Sequence, residues 1–435
     1  MSTKDSKFIY ESPDGGKTVY KREFGEPLSK RELVNLEEFS WPLMKDCITD
    51  EDKAAMINFI KTAGRFTNGP KVKEFEKKWS EWLGCKYSLF VSSGSTANTL
   101  LVAGIKERHG LKKGDKVVVP CMTWVTNVSP VIQLGLTPIF CDVDPKTFSF
   151  DVESLEKIAQ ENSDIKAVFV SHLFGISADI DLYKKVLPNA IFIEDVCESH
   201  GATYKGKKCG TLSEGSTFSF YFGHHMTTVE GGFVCTDDKD LYNIMKMKRS
   251  HGMAREALPE MFEKYKEENP QVHPSFMFMT DGYNLRSMEL NAVLGVSQLK
   301  HLDKNNDKRR ENFDRFIRMV EKYPSYFYSN YQVEGNSSFC LPFVCKNSKT
   351  KKSLESYLQN SGVETRPLCS GNLLRQPFLK SMNEIPNPSF YPKVEFLHEC
   401  GFFIGNNHMI TSEEFSILED LVRGWAHSKN PEELT

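Results

Sequence analysis

No stretch of the 435-residue chain is apolar for long enough to span a bilayer, and residues 1–30 are charged where a secretory leader needs an apolar core. Neither a membrane protein nor an exported one is expected. There is no Cys-x-x-Cys pair, and the eleven cysteines are odd in number and scattered. Several of them (Cys141, Cys235, Cys340) fall inside apolar runs, where a thiol reads as a small hydrophobe. Disulfides and structural zinc are therefore not expected, and a reducing cytoplasm is the expected compartment. Excess charge is lacking too: a net charge of −3 gives no footing for nucleic acid or an acidic membrane. Internal repeats and low-complexity tracts are absent.

What is present is ordinary for a globular protein, with 40% apolar and 26% charged residues. The length suits a large α/β domain with a smaller companion. Residues 1–40 look like an extension, in which Phe8-Ile-Tyr and Thr18-Val-Tyr flank Pro13-Asp-Gly-Gly16, a hairpin pattern. Residues 41–305 alternate helical and strand-like segments. Helices are expected at 50–62, with Gly64 as its stop, and at 72–83, where Phe75, Trp79 and Leu83 share one face. Strands are expected at 87–91, 116–119, 138–141, 167–170, 191–193, 217–221 and 232–236. This rhythm implies βαβ units and a mostly parallel sheet. Residues 254–280 read as an irregular excursion, followed by a helix at 286–302 and a charged helix to about residue 322. Residues 306–435 read as a smaller α+β domain, with strands at 338–344 and 363–366 and helices at 352–360 and 413–425. Gly362 would end the first of these helices.

The segments that could carry chemistry follow strands, where open α/β sheets place ligands. Ser92-Ser93-Gly94-Ser95-Thr96 opens a helix. Its free amides and small hydroxyls suit an anion, or form a plain N-cap. Trp124 lies just past the strand at 116–119, placed either to pack or to stack. Glu194-Asp195-Val-Cys-Glu198-Ser-His-Gly201-Ala202 follows an apolar strand. Asp195 there is a helix cap, or a buried carboxylate able to keep a ring nitrogen protonated. His172 reads as a packed strand-end histidine.

The stretch Ser219-Phe-Tyr-Phe-Gly-His224-His225-Met-Thr-Thr-Val-Glu230-Gly231-Gly232 resembles the Ser-Phe-x-x-x-Lys-x-x-Thr-Thr-x-Glu-Gly-Gly segment of the DegT/DnrJ/EryC1/StrS aminotransferases. Those enzymes use pyridoxal phosphate on nucleotide-linked keto-sugars. The resemblance covers about residues 41–430, with further motifs in order, and implies an aspartate-aminotransferase-like fold (PLP fold type I). It implies that Gly94, Ser95 and Ser219 hold the cofactor phosphate, that Trp124 stacks on its ring and that Asp195 meets the ring nitrogen. Glu198 stands where most members keep a glutamine, near the phenolic oxygen. Gly282-Tyr-Asn284-Leu-Arg286 is similar to a motif whose Asn and Arg reach the neighbouring subunit's site, which implies a homodimer with shared sites. His251, in His-Gly-Met-Ala-Arg255, and Arg366, before Pro-Leu-Cys-Ser-Gly371, are the remaining substrate-side candidates. For Arg366, a surface arginine is the equal alternative.

The departure is His224. In the family a lysine amine at this place bonds covalently to the cofactor aldehyde. Imidazole forms no stable bond of that kind but carries protons near neutral pH. Histidine here marks the 3-dehydratase branch, which acts on nucleotide-linked 4-keto-6-deoxyhexoses with pyridoxamine phosphate. That branch is recharged by an amino donor, here expected to be L-glutamate. A GDP-linked sugar is the preferred substrate by analogy. Between His251 and Asn284, where iron-dependent members carry cysteines, this chain has none, so neither an iron–sulfur cluster nor another metal is expected. The competing readings are a sugar 4-aminotransferase with an unusual base and a non-catalytic regulator on the same fold. His225 is set aside because Ser219 plus five and Glu230 minus six both land on His224.

Overall fold

The computed structural model describes residues 8–11, 19–34, 39–382 and 385–429. Its centre is a seven-stranded sheet. The spatial order is Tyr87–Val91, Gly232–Thr236, Gly215–Ser219, Ile191–Asp195, Ile165–Ser171, Lys116–Pro120, Thr137–Cys141. Only Gly232–Thr236 runs against its neighbours; the remaining pairings between adjacent strands are parallel. Every residue of Gly215–Ser219 and Gly232–Thr236 is buried, as expected for strands covered on both faces.

The helix Pro70–Leu83 buries Val72, Phe75, Trp79 and Leu83, so the apolar stripe at helical spacing faces the sheet. Gly84 ends it in the left-handed region at φ 90°, which a Cβ would disfavour. Trp79 stacks on Phe233 at 5.1 Å and meets Phe218 and Phe220 edge-on. On the other face lies the helix Gly94–Arg108, contributing Leu100, Leu101 and Ile105.

Two expectations are corrected here. Residues 254–280 contain a helix, Pro259–Glu268. None of its residues is buried, so there was no apolar periodicity to read, and ion pairs such as Lys264–Glu268 line it instead. The helix expected from Arg286 begins at Glu289, because the backbone before it pairs with the sheet edge: Ser92 N–H donates to Leu285 O at 3.0 Å.

The C-terminal unit is a four-stranded antiparallel sheet ordered Phe327–Tyr328, Cys340–Cys345, Gly401–Gly405, Thr365–Pro367. The inner strand Gly401–Gly405 was not anticipated; it is short, glycine-bounded and follows the helix Pro392–Cys400 directly. The unit also takes in chain from before the large sheet. Trp41 donates through Nε1 to Gly405 O at 2.9 Å, bridges to Val363, and packs edge-on against Phe415. Residues 39–41 thus pack with the small unit, which a division at residue 41 does not capture. Gly362, at φ 84°, ends the helix Ser348–Asn360 where a Cβ would sit 2.5 Å from Phe39 O.

At the N-terminus, Phe8–Glu11 pairs antiparallel with Val19–Glu23, and Glu32–Val34 adds a third strand; the expected Pro13–Gly16 turn lies outside the described residues. All eleven cysteines are free. Among the described residues no helix is long and apolar enough to cross a membrane.

Candidate active site

The helix Gly94–Arg108 starts at the C-terminal end of the strand Tyr87–Val91. Ser93 caps it: its Oγ accepts from Thr96 N–H at 3.1 Å, and its own N–H donates to Thr96 Oγ1 at 2.9 Å. The first-turn N–H groups of Gly94 and Ser95 have no intrahelical acceptor and carry the positive end of the helix dipole. This turn is pressed onto Ser219, at the end of its strand. A Cβ on Gly94 would lie 2.5 Å from Ser219 Cβ and 2.9 Å from its Oγ. The Gly94–Ser95 turn and Ser219, remote from each other in sequence, are therefore brought together in one cradle.

Asp195 ends the strand Ile191–Asp195 and is buried. Its Oδ2 accepts from Asn98 Nδ2 at 2.8 Å and from Asn127 Nδ2 at 2.9 Å, and its Oδ1 accepts from Cys197 N–H at 2.9 Å. Each asparagine is oriented in turn by a threonine: Thr217 donates to Asn98 Oδ1 and Thr123 to Asn127 Oδ1, both at 2.5 Å. Three donors thus converge on one carboxylate and fix its orientation. Asn98 and Asn127 were not singled out in the sequence. The available signal for Asn98 was its place one turn into the helix that the Ser92–Thr96 motif opens. Trp124, beside this network, leaves 55% of its surface exposed and so has a free ring face.

Glu198 is partly buried and accepts from Phe174 N–H at 3.2 Å. Burial, opposed by that hydrogen bond and reinforced by the Asp195 charge, raises it to about 7, so near neutrality it is a proton donor as readily as an acceptor. Phe174 holds a left-handed backbone at φ 58°, as does Cys369 at φ 45°. Such strain in non-glycine residues gathers at functional sites. His172 and its neighbour Glu194 are structural. His172 Nε2 meets Glu194 Oε1 at 3.1 Å, and Glu194 also accepts from Gly210 N–H, Leu212 N–H and Ser213 Oγ.

His224 sits in a turn closed by its N–H to Tyr221 O at 3.0 Å. Its ring lies 5.5 Å from Phe339 and 6.1 Å from His200. Phe339 N–H donates to Phe174 O, so His224 and Glu198 flank one pair of phenylalanines. Nδ1 of His224 is buried and unpartnered, and the residue as a whole is partly exposed. Burial, and then the Arg309 guanidinium, push the imidazole down to about 3, so it is a free base across the physiological range. His225 is buried and ties its Nε2 to Ser337 O at 3.1 Å, which leaves no edge for a substrate.

Asn284 and Arg286 are exposed and bonded to each other, Arg286 Nε to Asn284 Oδ1 at 3.0 Å. Their backbone bridges to Ser250 and Val91, beside the cradle. His251 is exposed at φ 63°, its N–H donating to Tyr283 O. Arg366 stands apart on the edge strand Thr365–Pro367, bonded to its neighbour's carbonyl. The loop after it does reach the site: Ser370 Oγ donates to Thr123 O at 2.7 Å.

An anion cradle and a donor-fixed aspartate at the C-terminal ends of a sheet with one reversed strand define an α/β enzyme of the pyridoxal-phosphate aminotransferase architecture. The chain belongs to the DegT/DnrJ/EryC1/StrS aminotransferase family, whose model matches residues 47–413. It is 36% identical over 384 residues to GDP-4-keto-6-deoxy-D-mannose 3-dehydratase of Yersinia pseudotuberculosis, covering 86% of this chain and 96% of that protein. Among solved structures it is similar to the E. coli GDP-4-keto-6-deoxy-D-mannose 3-dehydratase with bound hydrated PLP. The TM-score is 0.81 at 32% identity, covering 88% of this chain and 99% of that one. A second structure of a GDP-4-keto-6-deoxymannose 3-dehydratase, holding a trapped PLP–glutamate geminal diamine, matches with a TM-score of 0.79 at 31% identity over 88% of this chain and 100% of that one.

Proposed function

We propose that the chain is a 3-dehydratase of a GDP-linked 4-keto-6-deoxyhexose, using pyridoxamine phosphate and recharged by L-glutamate. The observation that carries this reading is His224, a partly buried imidazole standing where the family keeps an amine. The residues present fit the cofactor. Gly94, Ser95 and Ser219 form a cradle tight enough to exclude a methyl group, Asp195 offers a fixed carboxylate, and Trp124 offers an open ring. When bound, the cofactor supplies an amine that condenses with the sugar ketone and a ring that accepts an electron pair.

The protein's own groups then move protons. The Nε2 of His224 takes one from carbon, and Glu198, balanced near neutrality, can exchange one at the cofactor's phenolic oxygen. With no covalent anchor at residue 224, expulsion of the C-3 hydroxyl is the way forward. The net change removes one oxygen from the sugar while glutamate becomes 2-oxoglutarate and ammonia. Support for the substrate comes from relatives named for GDP-4-keto-6-deoxymannose, and for the donor from a relative that traps glutamate on PLP. Asn284 and Arg286, exposed beside the cradle, are suited to complete a second subunit's site, and we take the enzyme to be a cytoplasmic homodimer.

Purified protein incubated with pyridoxamine phosphate, GDP-4-keto-6-deoxymannose and glutamate is expected to yield a product lighter by one oxygen, with ammonia released in step. An amino-sugar product without ammonia would identify a 4-aminotransferase instead. A protein that binds neither cofactor form would be a non-catalytic member.

A further inference from the structure

Behind His224 lies a seam that the reaction described above leaves unused. The helix Leu302–Val320 presents Arg309 there, fully buried. Its Nη1 donates to Phe339 O at 3.2 Å and to Asn406 O, while Nε and Nη2 have no partner; among the described residues it forms no ion pair. The same seam holds His200, with both ring nitrogens buried and unpartnered and its ring 5.1 Å from His225 and 6.1 Å from His224. Asn306, one turn before Arg309, donates to His200 O at 2.8 Å and fixes the helix against this loop.

The titratable and charged groups around the seam are Arg309, His200, His225, His408, Tyr221, Cys47 and Cys340. Beyond the two phenylalanines lies Glu198, whose charge falls on Cys340 and Cys369. A guanidinium this buried, and not matched by a carboxylate, makes a second positive charge nearby costly. The field acts on four imidazoles: burial first, then Arg309 for His224, His225 and His408, and the His224 ring followed by Arg309 for His200, hold each below the ordinary histidine range.

We propose that Arg309 is a positioning residue for His224: its unpaired guanidinium denies the imidazoles a stable positive charge, so a proton accepted at His224 Nε2 is handed on and not kept. On the dehydratase reading, on which this rests, the C–H bond breaks toward Nε2. The same proton then leaves as the C–O bond breaks, so that hydroxide departs as water.

The test is an NMR titration of the full-length, cofactor-free chain carrying 13C-labelled histidine, with His224→Asn to assign the signal. In the wild type, His224 is expected to remain neutral well below the ordinary value of ~6.5. In Arg309→Gln its midpoint should move up toward that value, and in Arg309→Lys it should stay low. The acid limb of kcat in the loaded enzyme should move with it. A wild-type His224 that titrates at the ordinary value overturns the inference, as does a midpoint equally displaced in the Lys and Gln variants. Should Arg309→Gln not fold, Arg309→Met is the uncharged variant that decides, with the same upward movement expected and an unmoved midpoint overturning the inference. An Arg309-dependent midpoint with no sugar dehydrated would leave this inference standing and remove the functional one. Dehydration with a midpoint indifferent to Arg309 would do the reverse.

Discussion

Asn98 donates to Asp195 across 97 positions of chain, at 2.8 Å and fully buried. With Asn127 it holds the carboxylate in one orientation, while its own carbonyl is held by Thr217. Asn98→Asp keeps the shape, removes the donor and sets a like charge beside Asp195. A hydrogen bond to a charged group contributes ~1.5–3 kcal/mol, so cofactor affinity is expected to fall by roughly tenfold to a hundredfold. Titration of pyridoxamine phosphate by absorbance checks this; unchanged affinity would remove Asp195 from the cofactor site.

The contact between Gly94 and Ser219 makes a second prediction. Gly94→Ala places a methyl group 2.5 Å from Ser219 Cβ and should push the cradle open, weakening cofactor binding with little loss of global stability. Adding Ser219→Gly relieves the clash, and the double variant should bind better than Gly94→Ala alone. If the second change gives no rescue, the defect lies elsewhere.

His224→Ala is expected to lower turnover by ~10²–10⁴-fold, the usual contribution of one general acid–base group. His224→Lys should instead capture pyridoxal phosphate covalently, visible as a shifted absorbance that borohydride makes permanent, and should dehydrate poorly. Wild-type dehydration by the Lys variant would refute the assignment of His224.

Glu198 is raised to about 7 by burial and the Asp195 charge. Glu198→Gln keeps the size and the acceptor for Phe174 N–H but cannot titrate. The expected result is a flattened alkaline limb in the pH–rate profile near neutrality, with cofactor binding retained. A profile identical to that of the wild type would assign the limb to another group.

His200 is held neutral in the native state by burial and by its charged neighbours. In the unfolded chain it titrates near ~6.5. Below that pH the unfolded state binds the extra proton, so stability present at neutral pH is lost on acidification. His200→Phe, which suits the surrounding Trp79, Phe218 and Phe220, should reduce the acid-side loss. Denaturant midpoints of wild type and variant, compared at neutral and mildly acidic pH, test it through the difference in slope, in which contributions from unrelated groups cancel. Parallel slopes would show that His200 is not buried neutral.

The helix-opening turn at Ser92–Thr96, the strand-end aspartate and the histidine at 224 stood out as candidates because each lies in a contiguous stretch: a strand, a turn and a few fixed residue types within about a dozen positions. The parallel sheet was legible for a similar reason, since buried strands show as short apolar runs between periodic helices. The helix Pro259–Glu268 was not, because an unburied helix leaves no stripe, and Gly401–Gly405 was too short to register. Nothing local could show that Asn98 and Asn127 meet at Asp195, or that Arg309 faces His200 and His224 with no counter-ion among the described residues. Those arrangements come from packing elements that lie far apart along the chain. The amino-acid order decided which groups are available for chemistry; the tertiary structure decided their protonation, because charge state depends on burial and neighbours, and only the fold brings the neighbours together.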